Sequence, residues 1–270
     1  MSAPAAAPRL SLVIPSKNRP AEIARCMQSV FAHGAGVDEI IVVDQSPAAY
    51  ELPADPRIAH LYRPELSGLT AARNAGIDRA TGDIVLFMDD DCTFETDVPA
   101  AVRAAFERGD DVVGVQPEIV DPGYTPPPIS HRVFGHGFFN THTFADPHSP
   151  GQMRRLMGAA MAFRASVFAR ERFDESLHGY CYGEDWDFSL RAKRYGKLAS
   201  APDGIVEHRP SPNNRYDRLR ALRTRWTNIR YFYRKLRAGT KPVDRLWYWW
   251  WMLGETLQWL RLGYGIPREE

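Results

Sequence analysis

The chain has 270 residues, 44% hydrophobic and 25% charged, with 34 Lys and Arg against 33 Asp and Glu. That balance excludes a disordered or low-complexity chain and allows one large domain, or a domain with an appendage. No stretch reaches the roughly 20 consecutive apolar residues of a membrane span. Cys26, Cys92 and Cys181 are odd in number and far apart. They fit neither a zinc site nor a disulfide framework, which points to a reducing cytoplasm. The net charge of +1 hides an asymmetry: from Arg209 onward fourteen Arg or Lys face five Asp or Glu, a net +9, leaving −8 on the first 208 residues.

The opening MSAPAAAPRL has no apolar core of a secretory signal, and residues 1–9 read as a short disordered lead. Leu10–Ile14 is predicted to be a buried strand. Pro20–His33 follows as a helix, with Ile23, Met27, Val30 and Phe31 at helical spacing and Pro at its start. Glu39–Val43 is a second strand closed by Asp44, and Ile58–Tyr62 a third. Ser67–Ala80 is helical, with Ser67 or Thr70 able to cap it. Asp83–Met88 is a fourth strand that runs into Asp89, Asp90 and Asp91. Val98–Glu107 is a helix and Val112–Val120 another strand. The apolar runs do not alternate with polar residues, so these strands are covered on both faces. The fold class is therefore α/β, with a mostly parallel central sheet flanked by helices. Such sheets bind ligands beyond the carboxyl ends of their strands, where Pro15, Ser16, Asp44 and the three aspartates all fall.

Residues 121–151 are rich in Pro, Gly, His and Phe and read as a long functional loop. His131, His136, His142 and His148 in it could line an acceptor or form a second metal site. Leu156–Arg164 is a further strand whose small residues, Gly158 among them, mark a close approach. Glu184–Tyr195 is a helix ended by Gly196. Residues 215–238 and 243–262 form two long C-terminal helices, so 211–270 is an extension of a domain spanning 10–210.

Several groups carry chemistry. Three carboxylates at the end of the buried run VLFM need compensation. An Asp-x-Asp suits a hard divalent cation, although a solvated loop start has the same composition. Arg73, on the first turns of its helix, either pairs with a phosphate or base carbonyl at the same rim or is a surface Arg. Glu184 and Asp185 in GEDWD sit at a helix start, where the dipole favours their anions; they either catalyse or merely stabilise the helix. His208 is either a ligand for a transition metal such as Mn2+ or a surface His. In the tail, Arg230 and Arg234 precede Trp247, Trp249, Trp250 and Trp251. That pattern suits the interface of an anionic membrane. A homodimer contact through these helices, or packing on the chain's own domain, accounts for it too.

The segments VIPSKNRP, IIVVDQS, SGLTAARNAGIDRATGDIVLFMDDD, GAAMAFRASVF and GEDWDFSLRAKRYG occur in this order over residues 10–210. Together they resemble the family 2 glycosyltransferases of the GT-A fold. The resemblance implies a nucleotide-sugar-binding half over 10–120 and an acceptor and catalytic half over 121–210. Pro15, Ser16, Arg19, Asp44, Arg73 and Gly158 would line the donor site, with Asp44 accepting from a base N–H and Asp90 near the ribose. Asp89 and Asp91, with His208 as a third ligand, would hold Mn2+ or Mg2+ against the diphosphate. The cation and the nucleotide would then share the charge of the aspartate run. Asp185 would be the catalytic base, Glu184 its acceptor-positioning partner, and Trp186 part of the acceptor site. Gln45 stands where many relatives have a second Asp. The implied reaction moves a sugar, with inversion, from a UDP or dTDP donor to a glycan hydroxyl. The acceptor would be lipid-linked, held at the inner membrane face, in cell-surface polysaccharide synthesis. Three rivals remain. A nucleotidyltransferase lacks support because IPSKNRP has no glycine-rich loop. A nucleic-acid-binding protein would use the Arg/aromatic tail against the repulsion of an acidic body. A catalytically dead scaffold sits badly with a complete Asp89, Asp91 and Asp185 set.

Overall fold

The computed structural model describes residues 7–123, 152–177, 181–213, 218–236 and 242–261. The expectations for residues 1–6, His131, His136, His142 and His148 lie outside them. The strands are β1 Leu10–Ser16, β2 Glu39–Asp44, β3 Ile58–Tyr62, β4 Ile84–Met88, β5 Cys92–Phe94, β6 Val112–Val120, β7 Ala160–Arg164 and β8 Lys197–His208. The helices are α1 Pro20–His33, α2 Leu69–Arg79, α3 Val98–Glu107, α4 Ala165–Phe168, α5 Glu184–Ala192, α6 Arg218–Leu236 and α7 Pro242–Arg261.

One sheet runs in the order β3-β2-β1-β4-β7-β6-β8-β5. The first four of these strands are parallel to one another, β7 is antiparallel to β4 and β6, β8 is parallel to β6, and β5 is antiparallel to β8. Both faces are covered, as the unalternating runs require. Leu10, Leu12 and Ile14 of β1 join a core with Ile23, Met27 and Val30 of α1 and Val102 and Phe106 of α3. Val13, pointing the other way, joins Ala72 and Ile77 of α2 and the aromatic group Phe87, Phe163, Phe168, Phe173 and Phe188. β1 lies between β2 and β4, whose crossovers take opposite faces. The crevice beyond the carboxyl ends there is where open α/β sheets bind ligands.

Local predictions differ from the structure where packing overrides pattern. Neither Ser67 nor Thr70 caps α2; Gly68 does, with φ 92° and no side-chain bond. β7 starts at Ala160 rather than Leu156, and α5 ends at Ala192. The C-terminal helices form a third core on the domain itself. Trp226, Ile229 and Phe232 of α6 and Tyr248, Trp251 and Met252 of α7 bury against Leu177, Cys181 and Trp186. This corrects the assignment of Trp251 to a membrane or partner face: it is a core residue. Trp249, 65% exposed, and Trp250, 40% exposed, do face outward, and Trp247 is partly exposed. Arg234 is exposed, and Arg230 stacks its guanidinium 4.5 Å from the Trp226 ring.

Candidate active site

A cleft of about 620 Å³ opens where the strand ends meet α5 and the C-terminal helices. Its lining includes Pro15, Ser16, Arg19, Gln45, the three aspartates, Gly158, Glu184, Asp185, Trp186 and His208. Of the residues expected at the donor and catalytic sites, only Asp44 and Arg73 are missing from it.

Asp44 ends β2 fully buried. Its oxygens accept the Ser46 and Tyr50 N–H groups at 2.9 and 2.8 Å, and its Oδ2 lies 3.2 Å from His60 Nε2. It shapes the loop after β2 and does not line the cleft, whereas its neighbour does. Gln45 is 95% buried but lines the cleft. Its amide nitrogen donates to the Leu66 and Gly68 carbonyls at 3.0 and 3.1 Å. Both amide hydrogens are thereby used, and Oε1 accepts from none of the described residues. Gln45 therefore offers an acceptor and no donor.

Arg73 is also placed differently from the expectation. It is completely buried under Phe87 and Phe173, whose ring centres lie 5.9 and 5.4 Å from its guanidinium. It donates to Asp89 Oδ1 at 3.1 Å and the Gly158 carbonyl at 2.7 Å, and its Nη1 lies 2.5 Å from Glu184 Oε1. So Arg73 ties together the end of β4, the turn before β7 and the start of α5. Gly158 makes this closeness possible. A Cβ there would meet Glu184 Oε1 at 2.7 Å and Arg73 Nη2 at 3.3 Å.

The aspartates fall into separate environments. Asp90 accepts from Ser16 Oγ at 2.6 Å and from Arg19 Nη1 at 2.8 Å, yet burial still lifts its pKa to about 6. Asp91 accepts the Ser211 N–H at 2.9 Å and lies 3.4 Å from Arg19 and 3.5 Å from His208 Nε2. Burial opposes its charge, but His208 and the Ser211 N–H outweigh burial and hold its pKa low. Asp89 turns to Arg73, and burial, opposed by that cation, pushes its pKa up.

These residues suit a hard divalent cation. Ligand atoms of Asp91, Cys92 and His208 lie within 4.8 Å of one another. Cys92 is an unsuitable member, because burial pushes its thiol well above its ordinary pKa and it donates to the Ala159 carbonyl at 3.4 Å. The Asp91 carboxylate and His208 imidazole are O and N donors of the kind Mn2+ accepts. Asp89 lines the same cleft but lies outside that cluster.

Glu184 and Asp185 open α5, after Gly183 in the left-handed region at φ 87°. Glycine is required there both by that φ and because Phe232 of α6 would meet a Cβ at 2.6 Å. Asp185 accepts the Gly158 N–H at 3.0 Å and the Trp186 N–H at 2.7 Å. Glu184 is nearly fully buried, and its Oε2 has no partner among the described residues. Burial, aided by Asp185 and opposed by Arg73, raises its pKa to about 8. The two carboxyls thus differ in setting: burial favours the neutral form of Glu184, while Asp185 sits partly exposed at the start of the helix. Trp186 packs edge-on to Phe232 at 5.6 Å.

Glycosyl transferase family 2 matches residues 11–171, more than half of the chain. The chain is 28% identical over 209 residues to an uncharacterized glycosyltransferase of Bacillus subtilis, YwdF, covering 73% of each protein. It is 32% identical over 111 residues to a PGL/p-HBAD biosynthesis glycosyltransferase of Mycobacterium bovis, covering 37% of this chain and 42% of that one. In fold it is similar to the mannosyltransferase PcManGT of Pyrobaculum calidifontis, solved with GDP-Man and Mn2+. The TM-score is 0.63 at 14% identity, covering 96% of this chain and 76% of that one. It is also similar to GalNAc-T7 solved with UDP, GalNAc and Mn2+, with a TM-score of 0.56 at 16% identity over 76% of this chain and 44% of that one. The strand-end cleft, the aspartate run after β4 and the carboxyl pair opening α5 thus belong to a glycosyltransferase of the GT-A fold, and the chain is a member of glycosyl transferase family 2.

Proposed function

We propose that the protein transfers a sugar from a nucleoside diphosphate donor to a hydroxyl of a glycan acceptor, with inversion at the anomeric carbon. The observation that carries this reading is the convergence, in one cleft, of Gln45, Asp91 and His208 with Asp185. Ser16 and Gln45 lie on the donor side. Gln45 Oε1 accepts the ring N–H of uracil, thymine or guanine, a role the resemblance implies for Asp44. Asp91 and His208, with Asp89, would hold Mn2+ or Mg2+, which supplies Lewis-acid stabilisation of a leaving diphosphate when bound. Asp185 takes the proton of the acceptor hydroxyl, whose oxygen forms the new bond at the anomeric carbon as the bond to the diphosphate breaks on the opposite face. The Gly158 N–H holds that carboxylate in place, and Glu184, protonated, can donate to a substrate oxygen.

The acceptor is read as a lipid-linked glycan and the protein as peripheral on the inner membrane face. This is supported by the net +9 of residues 209–270 and by the outward Trp249 and Trp250. Among the described residues no helix is long and apolar enough to cross a membrane.

The test is thermal stability with UDP, dTDP, GDP and CDP, each with and without Mn2+ or Mg2+. A ligand at 100 times its dissociation constant stabilises by about 2.7 kcal/mol. A metal-dependent shift with UDP, dTDP or GDP is expected. No shift with any nucleotide would sink the donor reading.

A further inference from the structure

We propose that Glu22 of α1 is a positioning residue for the cation site: it fastens residues 209–213 and, through Ser211, sets the direction in which the Asp91 carboxylate is presented. The inference rests on the metal-holding role of Asp91 and His208 proposed above.

By sequence Glu22 is an acid in the first turn of a helix, where the dipole alone accounts for it. An acid that served only the dipole would face water. Glu22 is instead 7% exposed, and its Oε1 accepts from Ser211 Oγ at 2.6 Å and from Asn213 Nδ2 at 2.9 Å. Both donors lie on the segment that leaves β8 just after His208.

That segment reads Arg-Pro-Ser-Pro-Asn. Its prolines have no N–H, fix their own φ and hold the residue before each in extended backbone. Only Arg209, Ser211 and Asn213 can donate from the main chain, and each does. The Arg209 N–H bonds to the Asp91 carbonyl at 3.0 Å, next to the β5–β8 pair Cys92 and His208. The Ser211 N–H bonds to Asp91 Oδ2 at 2.9 Å, and the Asn213 N–H to Ser211 Oγ at 3.0 Å. The two oxygens of Asp91 therefore face different ways. Oδ2 meets the Ser211 N–H and Arg19, the latter at 3.4 Å, while Oδ1 faces His208 Nε2 at 3.5 Å. The last torsion of an Asp side chain is soft and would let either oxygen take either place. The Ser211 N–H decides between them, and Glu22 holds Ser211. Hydrogen bonds to a ligating carboxylate tune metal affinity in this way.

The experiment measures Mn2+ binding to the full chain by electron paramagnetic resonance, with no nucleotide or acceptor, well below the melting temperature. Glu22→Leu removes both bonds and should weaken binding about tenfold, the low end for loss of an outer partner, because Glu22 acts one bond further out. Glu22→Gln keeps an acceptor oxygen for both donors and should bind Mn2+ like the wild type. Ser211→Ala loses only the hydroxyl, keeps the N–H on Asp91, and should weaken binding less than Glu22→Leu does. It decides alone should Glu22→Leu fail to fold. Glu39→Leu removes a buried glutamate that accepts from Ser11 and Thr81, and should lower the melting temperature with Mn2+ binding unchanged. Wild-type affinity in Glu22→Leu and Ser211→Ala would overturn the positioning role and leave the cation assignment intact. So would a loss as large in Glu22→Gln, which would reflect bare charge, or in Glu39→Leu, which would reflect general loosening. A wild type that retains no Mn2+ would overturn the cation assignment and the positioning role together.

Discussion

Replacing Gln45 by Met tests base recognition at a single atom. Met has similar length and no hydrogen-bonding amide. Two losses follow from the bonds that Gln45 makes. The ligand loses one neutral acceptor, worth about 0.5–1.5 kcal/mol, or about 2- to 12-fold in dissociation constant. The protein loses the donor shared by the Leu66 and Gly68 carbonyls. That weakens the turn before α2 by about 1–3 kcal/mol if the carbonyls stay dry. The two effects separate cleanly. The stability loss is seen without ligand, while the affinity loss depends on the base. UDP, dTDP and GDP present an N–H where Oε1 waits, and cytosine presents a lone pair there. Calorimetric titration in Mn2+ should give weaker UDP binding and unchanged CDP binding, narrowing the wild-type preference. An equal loss for UDP and CDP, or a wild-type protein that binds CDP best, would refute the assignment and return the base contact to another residue.

Other outcomes follow from the same geometry. Asp185→Asn keeps an acceptor for the Gly158 N–H but cannot take a proton, so turnover should fall about 10²- to 10⁴-fold with the nucleotide thermal shift retained; near-normal turnover would remove Asp185 as base. Arg73→Met breaks a buried ion network and should cost about 3–5 kcal/mol of fold stability; a fully stable variant with poor nucleotide binding would put Arg73 back in the donor site. Asp174 is partly buried, which opposes its charge, but Lys235 and Tyr231 hold its pKa at about 2. Its folded pKa is below its ordinary 3.8, so its contribution is complete above about pH 4 and is lost as pH falls toward 2. Thermal melts of wild type and Asp174→Asn should therefore converge in acid, and parallel curves would count against the contact. Serine at Trp249, Leu253 and Leu257 together should abolish vesicle co-sedimentation and leave the melting temperature unchanged; undiminished sedimentation would exclude this outward face of α7 as the membrane contact. Deleting α7 is a poorer test, because it removes Tyr248, Trp251 and Met252 from a core, and a buried Trp→Ala change alone costs about 3–5 kcal/mol.

The first half of the fold was legible because long-range packing there agrees with local pattern. The apolar runs of β1, β2 and β4 became strands buried along their length, and each ended at the rim where its polar residues were expected. What stayed hidden depends on which way one residue points. Asp44 and Gln45 are adjacent at a strand end, and adjacent residues there face opposite ways. Sequence marks the pair but not the member that meets the ligand. Trp249, Trp250 and Trp251 pose the same problem at 100° steps, so a run of Trp cannot reveal that the third is core. Arg73 sits on a helix whose charged residues read as surface. Its burial depends on Asp89, Gly158 and Glu184, which are brought to it only by the sheet. The carboxylate run after β4 shows the consequence most clearly. The resemblance suggested a cation and a nucleotide as the compensation for three adjacent aspartates. The protein already supplies much of it: Arg73 to Asp89, Arg19 and Ser16 to Asp90, and His208 and the Ser211 N–H to Asp91. Each aspartate has its own partners, so the run can fold before any ligand arrives. Asp90 and Asp91 also share Arg19, which reaches the Asn213 carbonyl at 2.9 Å, linking the donor rim to the segment that follows β8. A ligand entering between these groups meets carboxylates already held in position rather than a loop that it must order.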